Sequence, residues 1–186
     1  FELPGGERAP IRTFTPRFFD ADRKELTVDV VLHRSGAATD WVRSVNIGDE
    51  VAISGPGRHD PVDSGARSHL LAGDESTIPA IAQLLEVIPH DHTVSVHIEI
   101  TATAARLELP HHPNADVTWH ELDGDAAPGD ATIAAVTAID DLPDAVWVAG
   151  EAAAVQRLRT HLFDERGCTR SNVTARGYWK LGRSAT

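Results

Sequence analysis

Four short stretches of the chain combine arginines, hydroxyls, glycines and acids in patterns that suit anion binding. Arg12-Thr-Phe-Thr-Pro-Arg17 sets two cations around an aromatic ring, and Arg176-Gly-Tyr-Trp-Lys180 with Arg183 is basic and aromatic. Leu71-Ala-Gly-Asp74 and Val148-Ala-Gly-Glu151 each read as an apolar strand that ends in glycine and an acid. An arginine fork binds phosphate, and a glycine after a strand lets a ligand approach backbone N–H groups.

Each stretch also has a plainer structural interpretation. The first would be a β-hairpin with surface arginines, and the glycine–acid stretches would be ordinary turns before helices. Asp74 and Glu75 would then interact with a helix dipole. Trp179 would be a core residue and Lys180 a surface residue.

The elements that would position these residues change character near residue 60. Alternating β-branched residues predict a hairpin from about residues 11–18 into 26–33, and a strand after Gly48. A short helix is predicted over residues 37–45. Residues 55–65 are rich in Gly and Pro, which predicts a linker.

Beyond the linker, predicted strands alternate with predicted helices. Ser76 or Thr77 would cap the first helix, with Pro79 in its first turn. The alternation predicts a mostly parallel sheet covered on both faces, with ligands at the carboxyl ends of its strands. The predicted strands cover residues 69–73, 93–100, 117–121, 145–149 and 172–177, and the helices cover 74–86, 130–139 and 151–166.

Composition excludes several classes of protein. The net charge of -11 disfavours a nucleic-acid partner. Apolar runs fall well short of the roughly 18 residues that a membrane helix needs. One cysteine, Cys168, excludes an intrachain disulfide and fits a cytoplasmic protein. The chain has no Met and starts at Phe1, from which we expect that further residues precede it.

Taken in order, these stretches resemble the siderophore-interacting protein family, flavin-dependent ferric-siderophore reductases related to ferredoxin–NADP reductases. Residues 12–17 resemble its Arg-x-Tyr-Thr-x-Arg motif, and residues 31–41 its His-x-x-Gly-Pro-Ala-Ser-x-Trp-Ala motif. Residues 71–81 resemble its Ala-Gly-Asp-Glu-Thr-Ala-Leu-Pro-Ala-Ile motif. Residues 147–152 and 177–180 match its last two motifs closely.

The resemblance implies an antiparallel flavin-binding barrel followed by a five-stranded parallel α/β domain that binds NAD(P)H. The corresponding division is a partial FAD domain over residues 1–60, a linker over 61–67 and an NAD(P)H domain over 68–186. A whole barrel needs more than sixty residues, so we expect an incomplete barrel with weak or no FAD affinity.

The resemblance also implies roles for individual residues. Arg12 would hold a phosphate of FAD, Phe14 would lie against the flavin without the hydroxyl of the family's Tyr, and Thr15 would lie near the flavin N5. The full FAD set is Arg12, Phe14, Thr15, Arg17, His33, Gly36, Ala38, Thr39 and Trp41. The NAD(P)H set is Gly73, Asp74, Glu75, Ser76, Thr77, Arg106, Gly150, Glu151 and Ala152. The set for the ferric siderophore is Arg176, Tyr178, Trp179, Lys180 and Arg183.

The sequence leaves more than one candidate for the electron donor. Residues 101–106 carry no acid that could bind an adenosine ribose, and Arg106 mildly favours NADPH unless it is simply a solvated residue. Ferredoxin is a second candidate partner. No side chain is needed as a catalytic acid or base. No metal site is expected, because His90-Asp-His92 and His111-His112 lack metal-ligand spacing.

Two other functions fit the same residues. One is a different flavin oxidoreductase of the superfamily, acting on ferredoxin or a small acceptor. The other is a nucleotide- or siderophore-binding fragment without turnover.

Overall fold

The computed structural model describes residues 6, 11–32, 36–55 and 65–182. They belong to two compact units, Phe1–His59 with Gly182–Thr186 and Asp60–Leu181. In the first unit, strand β1 (Pro16–Asp20) pairs antiparallel with β2 (Glu25–Val28), and helix α1 covers Ala37–Ser44.

The hairpin and the helix of the first unit were both predicted, but the strands are shorter than expected. The Asp20 carboxylate accepts the N–H groups of Asp22 and Arg23 at 3.0 and 2.9 Å, which closes the turn between the strands. The strand predicted after Gly48 was wrong. Residues 51–55 are exposed and belong to no strand of the described part, since a strand requires a hydrogen-bonded neighbour.

The second unit consists of five strands joined by helices, except between its second and third strands, where only a 3₁₀ turn intervenes. Its strands are β3 (Ser68–Asp74), β4 (Thr93–Ile100), β5 (Ala115–Glu121), β6 (Ala145–Glu151) and β7 (Val173–Trp179). Its helices are α2 (Ile78–Val87), α3 (Asp130–Thr137) and α4 (Ala152–Arg159). Short 3₁₀ turns cover Glu75–Thr77 and Thr103–Ala105, and a π-helical turn, Thr160–Glu165, continues α4.

All five strands are parallel, in the order β5-β4-β3-β6-β7. The chain runs outward from β3 to β5 and then returns to the other side of β3 for β6 and β7. The topological switch therefore lies between β3 and β6, where the carboxyl edge of an open α/β sheet forms a crevice. The prediction of a small antiparallel piece followed by a five-stranded parallel sheet is confirmed.

Successive side chains of a strand point to opposite faces, so β3 contributes to two cores. Leu71 packs on one face with the α2 residues Ile81 and Leu85. Leu70 packs on the other face with Val136 of α3 and Leu158 of α4. Burial on both faces explains why β3 and β6 are continuous apolar runs, and it holds their carboxyl ends rigidly.

Candidate functional site

Three of the predicted stretches meet at the carboxyl edge of this sheet. Asp74 ends β3, Glu151 ends β6 and Trp179 ends β7, and these strands are neighbours. Glu151 and Trp179 are direct partners in the ladder between β6 and β7. Parallel strands thus bring together residues that are as far apart in sequence as Asp74 and Trp179.

Asp74 is the centre of this arrangement. Its Oδ1 accepts hydrogen bonds from the N–H and the hydroxyl of Ser76 at 2.9 and 2.5 Å. Its Oδ2 accepts the N–H of Glu151 at 2.9 Å and the indole Nε1–H of Trp179 at 2.8 Å. A carboxylate has about four acceptor sites, so all of them are used inside the protein.

Two glycines make room for the Asp74 carboxylate. Gly150 has a φ of 138°, and a Cβ there would lie 2.5 Å from Asp74 Oδ2. A Cβ at Gly73 would lie 2.3 Å from the hydroxyl of Thr77 and 2.7 Å from the Ala149 carbonyl oxygen. Both positions therefore require glycine for close packing at this edge, whatever ligand approaches it.

Glu151 joins the start of α4 to the end of the C-terminal segment. Its Oε2 caps α4 by accepting the N–H groups of Ala153 and Ala154 at 2.5 and 3.0 Å. Its Oε1 accepts the N–H of Leu181 at 3.1 Å. Together, Asp74 and Glu151 hold the chain on both sides of Lys180, which is exposed.

A β-bulge interrupts strand β7 at Tyr178, two residues before Lys180. The register between β6 and β7 shifts after Gly177, so that Tyr178 is the extra residue. Tyr178 is 41% exposed, and its ring meets that of Trp147 edge to face at a centroid distance of 6.3 Å. Arg176 is exposed on the same strand. Four of the five residues predicted to contact the siderophore thus follow one another along one short segment.

The two acids differ in electrostatics although both are buried. Burial raises the pKa of Asp74, and its hydrogen bonds to Ser76, Trp179 and Glu151 offset this only in part. Burial also tends to raise the pKa of Glu151. The hydrogen bonds from the N–H groups of Leu181, Ala154 and Ala153, together with the nearby charge of Lys180, outweigh this effect and lower the pKa below its ordinary value.

Two other acids fix the loop that follows β4. Glu75 Oε1 accepts the N–H and the hydroxyl of Thr101 at 2.5 and 2.7 Å. The Glu121 carboxylate accepts the N–H and the hydroxyl of Thr103 at 3.1 Å. Arg106 is exposed at the end of this loop.

The prediction for the start of the first helix of this unit is confirmed in position but not in contact. Thr77 is the N-cap residue of α2, but its Oγ1 donates to the Asp74 carbonyl oxygen at 2.6 Å and caps no helical N–H group. The side-chain cap comes from Asp74, at the 3₁₀ turn that leads into α2. A strand-end aspartate reaches the free N–H groups first. Pro79 occupies the first turn as predicted, and Ala152 opens α4.

Sequence reasoning missed Glu99, the penultimate residue of β4. It is only 3% exposed, and its carboxylate accepts the N–H groups of Gly129, Ala131 and Thr132 at 2.6, 2.9 and 3.2 Å. It therefore caps α3, which packs on the face of the sheet to which Glu99 points. A carboxylate at the carboxyl end of the predicted strand 93–100 was the signal that could have identified it.

The predicted FAD residues lie in the first unit. Arg12 and Arg17 are half-buried, and the Arg17 guanidinium lies 4.0 Å from the centroid of the Phe18 ring. Phe14 is 40% exposed and Thr15 is half-buried. This stretch therefore presents two cations, a ring and a hydroxyl, which suits a ligand with a flat ring and phosphates.

Helix α1 supplies a second group of predicted FAD residues. It begins after Gly36, whose φ of 140° requires glycine, and no side chain of the described residues caps its first N–H groups. An uncapped helix N-terminus attracts an anion, although Asp40 in the first turn opposes this with its charge. Ala38 and Thr39 lie in this turn, and Trp41 is 44% exposed. The residues present therefore suit the pyrophosphate of FAD. His33 and Arg183 lie outside the described residues.

The histidines that suggested a metal ion have other contacts. His92 Nδ1 lies 2.9 Å from Nε2 of His69, and both rings are buried. His112 Nε2 lies 3.2 Å from the Pro89 carbonyl oxygen.

Over residues 11–32, 36–55 and 65–182, no helix is long and apolar enough to cross a membrane.

Comparison with known proteins gives two matching family models. The model described as "Siderophore-interacting protein" matches residues 66–182. The model described as "Siderophore-interacting FAD-binding domain" matches residues 1–60. The two models together span nearly the whole chain.

Individual relatives agree with these matches. The chain is 37% identical to an uncharacterized protein of Mycobacterium tuberculosis, over 98% of this chain and 69% of that one. It is 30% identical to the ferric vibriobactin reductase ViuB of Vibrio cholerae, over 96% of this chain and 68% of that one. The crystal structure of the siderophore-interacting protein SipS from Aeromonas hydrophila is similar, with a TM-score of 0.79 and 28% identity, over 96% of this chain and 76% of that one.

Proposed function

The chain belongs to the siderophore-interacting protein family, and we propose that it is a ferric-siderophore reductase that passes electrons from NAD(P)H through FAD to siderophore-bound Fe(III). The family membership and the similarity to a ferric vibriobactin reductase support this proposal. The observation that carries it is the placement of Lys180, an exposed cation held between two anchored residues at the carboxyl edge of the sheet.

Residues of the first unit would hold FAD. The Arg12 and Arg17 guanidinium groups and the N-terminus of α1 would bind its phosphates, and Phe14 would lie against the flat ring. When bound, FAD supplies the redox chemistry of the reaction, since it accepts two electrons from a nicotinamide and releases them singly. The protein's part is to bind and orient the reactants.

Residues at the ends of β3 and β6 would border the nucleotide donor. Gly73 and Gly150 lie at this edge, where they leave room for the Thr77 hydroxyl and the Asp74 carboxylate that fix the strand ends. The exposed Arg106 favours NADPH over NADH, because its cation would bind a ribose phosphate. Ferredoxin is the alternative donor.

The segment Arg176–Lys180 would bind the ferric siderophore. Siderophores with catecholate or carboxylate groups form anionic iron complexes, and a local cluster of cations and rings attracts them in spite of the net charge of -11. Neither the reduction of FAD nor the reduction of Fe(III) needs an acid or a base from the protein. The Asp74 and Glu151 carboxylates are accordingly engaged in hydrogen bonds within the protein. Release of Fe(II), which siderophores bind weakly, would complete the reaction in the cytoplasm.

The two lysines of the chain allow a matched test of this proposal. Lys180→Gln removes the proposed contact, and Lys24→Gln removes the same charge from the turn between β1 and β2. With excess FAD, we expect Lys180→Gln to raise the KM for ferric enterobactin about tenfold, or about 1.4 kcal/mol. Lys24→Gln should leave that KM unchanged. Equal KM values in both variants would contradict the assignment of Lys180.

The division of the chain into an FAD domain (residues 1–60), a linker (61–67) and an NAD(P)H domain (68–186) remains part of the proposal. Two rival functions are outcomes of the same assay. Reduction of menadione without reduction of ferric enterobactin would favour a different flavin oxidoreductase. Binding of ligands without any NAD(P)H oxidation would favour a binding module.

A further inference from the structure

One carboxylate connects the ends of three strands at the proposed site. Asp74 ends β3, and its Oδ2 accepts both the Glu151 N–H at the end of β6 and the Trp179 indole N–H at the end of β7. Its Oδ1 accepts two bonds from Ser76. The side chain is 9% exposed, so all four bonds lie largely out of water.

This use of Asp74 differs from the role that its position in the sequence predicts. A strand-end acid beside a nucleotide is expected to bind a ribose hydroxyl. Here every acceptor site of the carboxylate is occupied by a donor of the protein. A buried acid so engaged fixes its neighbours, because moving any of them would leave a polar group unpaired at considerable cost.

We infer that Asp74 is a positioning residue for the siderophore, which acts through Trp179 by fixing the segment that carries Lys180. This inference rests on the proposed function and assigns to Asp74 a role on the side of the iron substrate instead of the nucleotide.

The contacts around Lys180 explain how Asp74 would determine the position of its backbone. The bulge at Tyr178 interrupts the regular ladder, which resumes only at the pair Glu151–Trp179, so the strand pairing ends one residue before Lys180. Trp179 is held through its indole N–H by Asp74, and Leu181 through its backbone N–H by Glu151. Lys180 lies between these two anchors, so its position depends on both. Loss of the first anchor would leave the lysine charge in place but let its backbone move.

Three variants separate positioning from a general structural role. Asp74→Ala removes the acceptor, and Trp179→Phe removes the donor while it keeps an aromatic ring. Asp74→Asn retains an amide oxygen that can still accept from Trp179 and Glu151, while its NH₂ can donate to the Ser76 hydroxyl and only the Ser76 N–H loses its acceptor. Asp144→Ala is the matched control, since this carboxylate accepts the N–H groups of Arg67 and Ser68 at the opposite end of β3.

The first readout is the Kd of ferric enterobactin, an anionic tris-catecholate complex, measured by equilibrium dialysis of the FAD-supplemented chain. The second is steady-state KM and kcat for that complex and for menadione, a neutral acceptor. We expect Asp74→Ala and Trp179→Phe each to raise Kd and siderophore KM about tenfold, and to change the KM for NADPH and for menadione by less than about threefold. Asp74→Asn should stay within about threefold of wild type, and Asp144→Ala should not change Kd.

The double variant Asp74→Ala/Trp179→Phe tests the route directly. If Asp74 acts through Trp179, the double variant should bind no more weakly than either single variant. Losses that multiply, a wild-type Kd in Asp74→Ala, or a raised KM for NADPH in place of siderophore would each overturn the inference. Failure of the wild type itself to bind ferric enterobactin would instead contradict the proposed function, and this inference with it.

Discussion

Replacing Glu151 by Gln should weaken the second unit by a measurable amount that depends on pH. The substitution keeps the size of the side chain and one acceptor oxygen, but it removes the charge. Glu151 is 5% exposed and accepts three backbone N–H groups, two from the start of α4 and one from Leu181. The amide oxygen of Gln can serve only one of these two sides.

The expected loss follows from these bonds. The oxygen should stay with the two α4 donors, so that the NH₂ group faces the Leu181 N–H. Leu181 is exposed and this bond is only partly buried, so the donor left without an acceptor costs about 1 kcal/mol, the lower end of the usual range. The lost interaction of the charge with the helix N-terminus adds about 0.3–1 kcal/mol. We therefore expect a decrease of about 1–2 kcal/mol in the free energy of unfolding, or roughly 3–10 °C in Tm.

The contribution of Glu151 to the free energy of unfolding should depend on pH. The folded-state pKa of Glu151 lies below its ordinary value of 4.5. Its contribution to stability is therefore fully present above pH 4.5 and is lost as the pH falls through the folded-state pKa. Gln does not titrate, so the difference between the two proteins should shrink over that same range.

Urea unfolding at pH 7 and at a series of pH values below 4.5 measures both effects. Glu121→Gln is the control, because that exposed glutamate caps a 3₁₀ turn through Thr103 and should cost less than about 1 kcal/mol. A loss below about 0.5 kcal/mol for Glu151→Gln, or a difference that does not change with pH, would refute the assigned role of the carboxylate.

Three further substitutions test other parts of the structure. Gly150→Ala should cost about 3 kcal/mol in urea unfolding, because it strains a backbone at φ 138° and sets a Cβ against Asp74; a cost below 1 kcal/mol would show that the site adapts. Glu99→Gln should cost about 2 kcal/mol by leaving an α3 N–H group unpaired, with the KM for NADPH unchanged; a raised KM would make Glu99 a nucleotide ligand. Burial lowers the pKa values of His97 and His120 below 6.5, so stability should decrease as the pH falls below 6.5; His120→Gln should flatten that decrease, and an unchanged pH profile would contradict it.

The parallel sheet was predictable because two of its inner strands, β3 and β6, contain apolar runs that end at glycine and an acid. The runs that end at Gly73 and Gly150 are buried on both faces, and such runs identify parallel strands without further information. The residues at their ends could therefore be placed at one edge from the sequence pattern alone.

The contacts at that edge could not be predicted in the same way. Trp179 lies 105 positions from the Asp74 carboxylate that it contacts, and only the strand order brings them together. The cap that Glu99 provides to α3 likewise joins residues 32 positions apart, which only the packing of α3 on β4 brings together. The strand predicted after Gly48 was wrong because its alternating residues have no strand neighbour within the described part of the chain. Local patterns thus identified the participants, and topology determined their partners.

The central claim is electron transfer to siderophore iron, and trapping of the product tests it most directly. The purified chain is supplied with excess FAD, NADPH and ferric enterobactin, and Fe(II) is followed as its coloured ferrozine complex. We predict Fe(II) formation that requires the protein, FAD and the electron donor together and that falls in Lys180→Gln. Binding of FAD and oxidation of NADPH by menadione with no Fe(II) above the protein-free rate would contradict the account.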